Sequence, residues 1–177
     1  MTASFHKGRL GVRLARTPDD LAACQALRHA CFFGAPGVDA DAYDPLCKHV
    51  MIGGDAGLVG TCRVMVLRDG AALGASYTAS AYDLSPLANY ARPVMEVGRF
   101  CAAPGASADV LRLAWGALTG IVDAEGAGLL IGCSSFPGAN PAQHAAALAL
   151  LGQYHRGPVS QLPGVRAAQV VPLTGPV

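Results

Sequence analysis

The stretch VMEVGRFCAAPG (residues 94–105) places a carboxylate, Glu96, and a guanidinium, Arg99, inside an apolar run. Charged residues make up only 14% of this chain, so two of them in a buried-strand pattern need a reason. In a regular strand, positions three apart point to opposite faces. Because a strand glycine often marks a β-bulge, Gly98 predicts a bulge that turns both side chains to one side and frees backbone N–H groups.

This combination is suited to acyl transfer to an amine. The carboxylate of Glu96 would take a proton from the attacking nitrogen, and the freed N–H groups would stabilise the oxyanion. Arg99 would hold the carboxylate in place, although a nearby cation also lowers its basicity. The alternative is a structural ion pair, or two edge-strand residues facing solvent.

Further charged residues stand next to apolar segments. Asp41 and Asp44 flank Tyr43 in DADAYD, Arg63 lies in the apolar strand GTCRVMVL, and Arg28 follows Leu27 in the first helix pattern. Taken singly, each is typical of a loop acid or a surface arginine. Together they suit a zwitterionic substrate, with arginine for its carboxylate and acids for its ammonium group.

The elements that must position these residues alternate between strands and helices. Residues 1–8 are expected to form a loose arm. Helices are predicted at 18–33, capped by Thr17, at 107–128, capped by Ser107 and ended by Gly126, and at 140–155, capped by Asn140. Strands are predicted within 8–17, 49–68 (a hairpin with the turn GGDAG), 94–101, 129–136 and 165–173, and the excursion 69–93 carries a short helix begun near Asp83. The order predicts a mixed α/β sheet with helices packed on it, in one domain spanning 1–177.

Composition excludes several classes of protein. The net charge is +1 and no basic run occurs, so nucleic acid is not an expected partner. None of the six cysteines forms a CxxC pair, which favours reduced thiols and no metal site in a cytoplasmic protein. No apolar run has the ~18–20 residues of a membrane span. The mean hydropathy of +0.35 is high enough to allow a peripheral contact with the inner membrane.

The motifs occur in a familiar order: LRHACF, DADAYD, GTCRVM, YTASAYDLSPL, MEVGRFCAAP and GCSSFPGANPAQH. In this order the chain resembles the bacterial ornithine N-acyltransferases from about residue 10 to 155. Those enzymes make lyso-ornithine lipid from ornithine and a 3-hydroxyacyl-acyl carrier protein. They share a GNAT-like α/β fold, a mixed central sheet flanked by helices, with the autoinducer (acyl-homoserine lactone) synthases.

The resemblance implies roles for individual residues. Glu96 corresponds to the base and Arg99 to its partner, and His144 to the histidine after the FPG turn, although a capping role suits His144 as well. The segment that faces the Glu96 strand across the acyl cleft corresponds to Ser134, Ser135 and Phe136. The charged cluster and aromatic residue shared with autoinducer synthases correspond to Arg28, Phe32, Asp41, Asp44 and Arg63.

The expected acyl donor follows from a difference between this sequence and the usual GNAT pattern. The phosphate loop by which GNAT enzymes hold acetyl-CoA is missing, because AAPGASAD has no basic residue and only one glycine. This favours a phosphopantetheine-borne donor on acyl carrier protein over CoA, with no permanently bound cofactor. The acyl chain would contact Met95, Phe100, Leu111 and Trp115. Two alternatives remain: an autoinducer-synthase-like or other GNAT enzyme with a different amine acceptor, and a non-catalytic acyl- or carrier-protein-binding module.

Overall fold

A computed structural model describes residues 5–136, 138 and 140–171. The strands of its main sheet are β1 (Phe5–Lys7), β2 (Leu10–Leu14), β3 (Lys48–Gly54), β4 (Gly57–Leu67), β6 (Val94–Ala102) and β7 (Leu129–Ile131). They lie in the order β1-β2-β3-β4-β6-β7, and all neighbours are antiparallel except β6 and β7, which are parallel. A separate two-stranded sheet joins β5 (Tyr82–Asp83) to β8 (Gly164–Val165). The predicted α/β class is confirmed.

Three α-helices accompany the sheet: α1 (Pro18–Phe33), α2 (Asp109–Glu125) and α3 (Ala145–Tyr154). The hydroxyl of Thr17 caps α1 by accepting from the Asp20 amide, as predicted, and Gly126 ends α2 in the left-handed conformation at φ 63°. Asn140 caps a 3₁₀ turn (Pro141–His144) that precedes α3. None of the helices in the described part of the chain combines the length and the apolarity that crossing a membrane requires.

The two faces of the sheet are covered differently. On one face, α2 packs Val110, Leu113 and Leu118 against Val64, Ile52 and other even-numbered strand residues. On the other face, the excursion between β4 and β6 covers Met65, Leu67 and Val94 with Leu73, Leu84 and Leu87. Helix α1 also lies on this second face. Its Arg28 donates to Asp44, which also accepts from Arg63 of β4. The charged residues therefore sit between α1, the excursion and the sheet.

Several sequence expectations are corrected. Residues 5–7 of the supposed loose arm form β1, which pairs with β2. The excursion contains 3₁₀ turns at Gly70–Ala75, Thr78–Ser80 and Ser85–Leu87 instead of one short helix. Strand β7 ends at Ile131 rather than 136, and the tail strand is only Gly164–Val165, while residues 172–173 of that prediction lie outside the described part.

Two of the predicted acyl-chain contacts, Leu111 and Trp115, are also corrected. Leu111 and Trp115 are exposed on the outer face of α2 and do not line the sheet, whereas Val110 and Leu113 are buried. Ala108 occupies the N-cap position, and Ser107 instead accepts from the Asp109 amide at 3.3 Å. A helix rich in Leu, Ala and Val on several sides does not reveal its buried stripe from sequence alone.

Candidate active site

A β-bulge in β6 shapes the site, and it lies at Arg99 rather than at Gly98. Thr61 of β4 pairs with Cys101 and Arg63 pairs with Gly98, so two residues of β6 face the single residue between them on β4. Arg99 has φ 52° and is the only non-glycine residue with positive φ in the described ranges. An L-residue in this conformation costs about 1–2 kcal/mol, so the surrounding contacts must hold it there.

Glu96 is buried, with 5% of its surface exposed, and its carboxylate is held by the excursion. Oε1 accepts from the Thr78 amide at 2.6 Å and from the Thr78 hydroxyl at 2.5 Å, while Oε2 accepts from the Tyr77 amide at 3.0 Å. A carboxylate has about four acceptor sites. One lone pair of Oε2 is therefore left for a further donor.

The guanidinium of Arg99 reaches two aspartates instead of Glu96. Its Nε lies 3.3 Å from Asp39 Oδ2 without the alignment of a hydrogen bond, and Nη2 lies 3.4 Å from Asp41 Oδ2. The rings of Tyr77 and Phe32 lie 5.5 and 6.0 Å from its Cζ. The expected pairing of Arg99 with Glu96 is thus not formed, because the left-handed backbone turns Arg99 toward the loop before β3. We call Arg99, Asp39 and Asp41 the outer ion pairs.

Deeper in the molecule, Asp44 joins two buried arginines. Arg28 donates to both oxygens of Asp44 at 2.8 Å, and Nη1 of Arg63 donates to Oδ1 at 2.8 Å. Gln25 adds a further donor at 2.9 Å. We call Arg28, Asp44 and Arg63 the inner ion pairs. They connect α1, the loop before β3, and β4, so they fix the floor of the site.

These contacts determine the ionisation of the inner ion pairs. Burial alone would raise the pKa of Asp44, but the hydrogen bonds from Arg28, Gln25 and Arg63 outweigh it and hold that pKa well below its usual range. Burial would likewise lower the pKa of Arg28 and Arg63, but the hydrogen bonds that they donate to Asp44 and Asp41 raise it instead. All three groups are therefore charged at neutral pH.

The two halves of the cluster meet at Asp41. Its Oδ1 accepts from Arg63 Nη1 at 2.6 Å and from the Tyr43 amide at 2.9 Å, and its Oδ2 faces Arg99. Asp39 similarly spans Arg28, at 2.8 Å, and Arg99. The outer ion pairs are thus attached to the inner ones through shared partners, but they lie nearer to solvent.

The parallel strands β6 and β7 part beside Glu96. Their last paired residues are Glu96 and Ile131, after which β6 continues to Ala102 while the chain after Ile131 leaves the sheet. Gly132 marks the point of close approach, because a Cβ there would stand 2.3 Å from the Val97 carbonyl oxygen. The Cys133 thiol lies 3.8 Å from the Thr78 hydroxyl that holds Glu96. Strand pairing between β6 and β7 therefore ends at the buried carboxylate.

The structure brings together Arg28, Asp41, Asp44, Arg63, Arg99 and Phe32, and it links Glu96 to them through Tyr77. The remaining predicted residues belong to the segment that follows β7. Ser134, Ser135 and Phe136 are exposed, and the ring of Phe136 packs at 5.0 Å on that of His144. They do not contact the ion pairs in the described contacts, and their place across the acyl cleft from Glu96 stays a prediction.

Three further residues belong to the site that sequence reasoning missed. Asp39 is the first residue of DADAYD, and Tyr77 and Thr78 begin YTASAYDLSPL. All three residues therefore lie in motifs that the sequence analysis had already singled out. A thiol nucleophile at Cys101 is disfavoured, because burial raises the pKa of that thiol. The site has the parts for general base catalysis without a covalent intermediate.

Comparison with known proteins defines the class. Residues 25–115, about half of the chain, match the family described as the acetyltransferase (GNAT) domain. Three solved structures share the fold: the N-acyl amino acid synthase FeeM from uncultured soil microbes (TM-score 0.55, 18% identity, 81% of this chain and 78% of that one), a putative acetyltransferase from Agrobacterium tumefaciens (0.51, 13%, 89% and 99%) and the AHL synthase LasI (0.50, 16%, 75% and 72%). The fold is that of the GNAT acyltransferases, as expected.

Two relatives narrow the family. An L-ornithine N(alpha)-acyltransferase from Rhodobacter capsulatus is 32% identical over 179 residues, which cover 89% of this chain and 68% of the relative. The protein of the same name from Brucella abortus is 31% identical, over 81% of this chain and 59% of that protein. The chain belongs to the L-ornithine N(alpha)-acyltransferase family. It spans between half and about two thirds of the length of these relatives.

Proposed function

We propose that the protein is an N-acyltransferase that moves an acyl group from a thioester to the α-amine of ornithine. With a 3-hydroxyacyl group the product is lyso-ornithine lipid. Membership of the family supports the reaction type and the acceptor, since the relatives carry that name. The observation that carries the proposal is the buried Glu96 at the point where β6 and β7 part.

Ornithine has one carboxylate and two amines, and the outer ion pairs match this pattern. Arg99 is held by long contacts to Asp39 and Asp41, so its guanidinium has donors left for a carboxylate. The same aspartates then become available to the side-chain ammonium group. Arg63 and Arg28 are buried and bonded to Asp44, so they support the site without binding the substrate themselves.

In the proposed reaction, Oε2 of Glu96 takes a proton from the α-ammonium group, directly or through one water molecule. The free amine attacks the thioester carbon, and backbone N–H groups of β6 beyond Glu96 stabilise the oxyanion. The C–N bond forms, the C–S bond breaks, and the thiolate leaves with the pantetheine arm. The nitrogen loses its surplus proton as the amide forms and keeps one N–H. This proton and the one held by Glu96 pass to the thiolate and to solvent, which restores the carboxylate.

Acyl carrier protein is the proposed donor. The start of α2, where a GNAT enzyme would hold the CoA phosphates, has the carboxylate of Asp109, which pairs with Lys7 at 3.0 Å and Arg112 at 2.8 Å. A carboxylate at a helix N-terminus competes with a phosphate for the same positive end. We expect acyl carrier protein thioesters to be used at lower concentrations than the matching acyl-CoA, which steady-state kinetics with both donors would reveal.

Glu96→Gln tests the base. We expect kcat for amide formation to fall about 10²–10⁴-fold, because the amide cannot accept the proton. Product is measured by mass spectrometry from ornithine and acyl donor, with S-adenosylmethionine in a parallel reaction. If the protein makes a lactone from S-adenosylmethionine and no acyl-ornithine, then the acceptor is S-adenosylmethionine and not ornithine.

Thr78→Val is the matched control. It removes one hydrogen bond to Glu96 while leaving the carboxylate, so it perturbs the fold about as much as Glu96→Gln does. We expect this variant to keep most of its turnover. Equal losses of kcat in the two variants would mean that Glu96 only anchors the excursion and is not the base.

A further inference from the structure

Helix α3 exposes an apolar surface that is unusual for a helix in contact with water. Its sequence AAALALLGQY contains no charged residue, and Ala149 is its only buried residue. Leu150, Leu151 and Tyr154 are exposed by 48%, 41% and 63%. Positions three and four apart are neighbours on a helix, so these three side chains form one apolar patch, which we call the α3 surface. A helix that is apolar all round is normally covered.

The segment of the chain that contains α3 carries charged side chains of one sign. All twelve acidic residues of the chain lie at or before Glu125, and the chain beyond it carries Arg156 and Arg166 without a single carboxylate side chain. His155 and Arg156 directly follow α3. An anionic surface would thus meet an apolar patch and cations, with no acidic side chain of this segment to repel it.

Helix α3 follows the segment that leaves β7. The 3₁₀ turn before α3 ends at His144, whose ring packs on exposed Phe136, and Phe136 belongs to that segment.

We propose that α3 docks on an anionic lipid bilayer, with the α3 surface in the acyl boundary and Arg156 at the headgroup phosphates. Tyrosine is favoured at this depth, where its ring is apolar and its hydroxyl meets water. A highly acidic protein partner would be met by many cations, but here three large apolar side chains are accompanied by few charges. The proposal goes beyond acyl transfer and does not depend on the acceptor.

Vesicle cosedimentation of the full chain tests the proposal. We expect binding to vesicles of equal parts phosphatidylglycerol and phosphatidylcholine, and weaker binding to phosphatidylcholine alone. Leu150→Ser with Leu151→Ser should lower the partition coefficient at least about tenfold, because two half-exposed apolar groups leave the acyl boundary. Arg156→Gln should lower it about fivefold on the anionic vesicles only.

The control pair is Leu111→Ser with Trp115→Ser, which removes equally exposed apolar groups from α2. It should leave vesicle binding unchanged. Three results would overturn the proposal: no binding to either vesicle, an equal loss in the control pair, or a dimer in sedimentation velocity that only the α3 pair dissociates. Acylation of ornithine in vesicle-free buffer is measured on the same variants, so a protein that binds lipid but makes no amide contradicts the proposed function alone.

Discussion

The inner and the outer ion pairs use the same two side-chain types but differ in every physical respect. The side chains of Arg28, Asp44 and Arg63 are at most 4% exposed and meet at 2.8 Å, whereas Arg99 is 29% exposed and meets its aspartates at 3.3 and 3.4 Å. Arg99 alone has a left-handed backbone. Residue type therefore does not decide which charged side chains hold the fold together and which are available to a substrate.

The difference matters because a substrate can only exchange partners with charges that water already reaches. Separating Arg28 or Arg63 from Asp44 would leave a desolvated charge, which costs several kcal/mol. Separating Arg99 from Asp41 costs far less, because the pair is long and both side chains are partly exposed. An incoming carboxylate and ammonium group would thus replace the outer contacts and leave the inner ones intact.

The largest expected effect comes from Asp44→Asn. The variant keeps the shape of the side chain but leaves Arg28 and Arg63 without their shared counter-charge in a buried position. We expect the free energy of unfolding to fall by about 3–5 kcal/mol. Urea denaturation followed by circular dichroism measures it.

Asp41→Asn is the matched variant in the outer half. Its side chain is 23% exposed, so we expect a loss of about 1 kcal/mol or less. Equal losses of stability in the two variants would remove the distinction between inner and outer ion pairs.

The next effect is a dependence of stability on pH. The folded pKa of Asp44 is depressed, so its contribution is complete above the pKa of the unfolded chain, near 4, and is lost as pH falls toward the folded value. We expect wild-type stability to decline below about pH 4–5, and Asp44→Asn to decline less steeply. Urea midpoints between pH 3 and pH 7 provide the test, and parallel curves for the two proteins would assign the acid sensitivity to other carboxylates.

The sequence was a good guide to the elements because local signals were strong. Thr17 with Pro18 marked the start of α1, Gly126 marked the end of α2, and GGDAG marked the β3–β4 turn. Helix α2 was placed correctly, but the outward positions of Leu111 and Trp115 were not predicted, because several sides of this helix are apolar. The 3₁₀ turns of the excursion have no periodic pattern, so only coordinates could reveal them.

The site was predicted as a set of residues but not as a set of pairs. Arg28, Asp41, Asp44 and Arg63 do meet, yet pairing is a property of distance and burial that no motif encodes. Arg99 shows the limit most clearly. The sequence predicted the bulge at Gly98, because glycine adopts unusual backbone conformations easily. In the structure the left-handed conformation belongs to the next residue, Arg99, although an arginine disfavours it. Such an exception to local preference is typical of functional positions.

The sharpest test of the outer ion pairs comes from comparing Arg99→Gly with Arg99→Ala. Both variants remove the guanidinium, so both should raise the KM for ornithine by about 10–100-fold if Arg99 binds the substrate carboxylate, with a smaller change in kcat. The order of stability of the two variants should be the reverse of the order found in a regular strand. In a regular strand glycine is less stable than alanine by about 0.5–1 kcal/mol, but at φ 52° we expect glycine to be more stable by about 1 kcal/mol. An alanine variant that is the more stable of the two would mean that Arg99 is not strained, and an unchanged KM would move the carboxylate site to another cation.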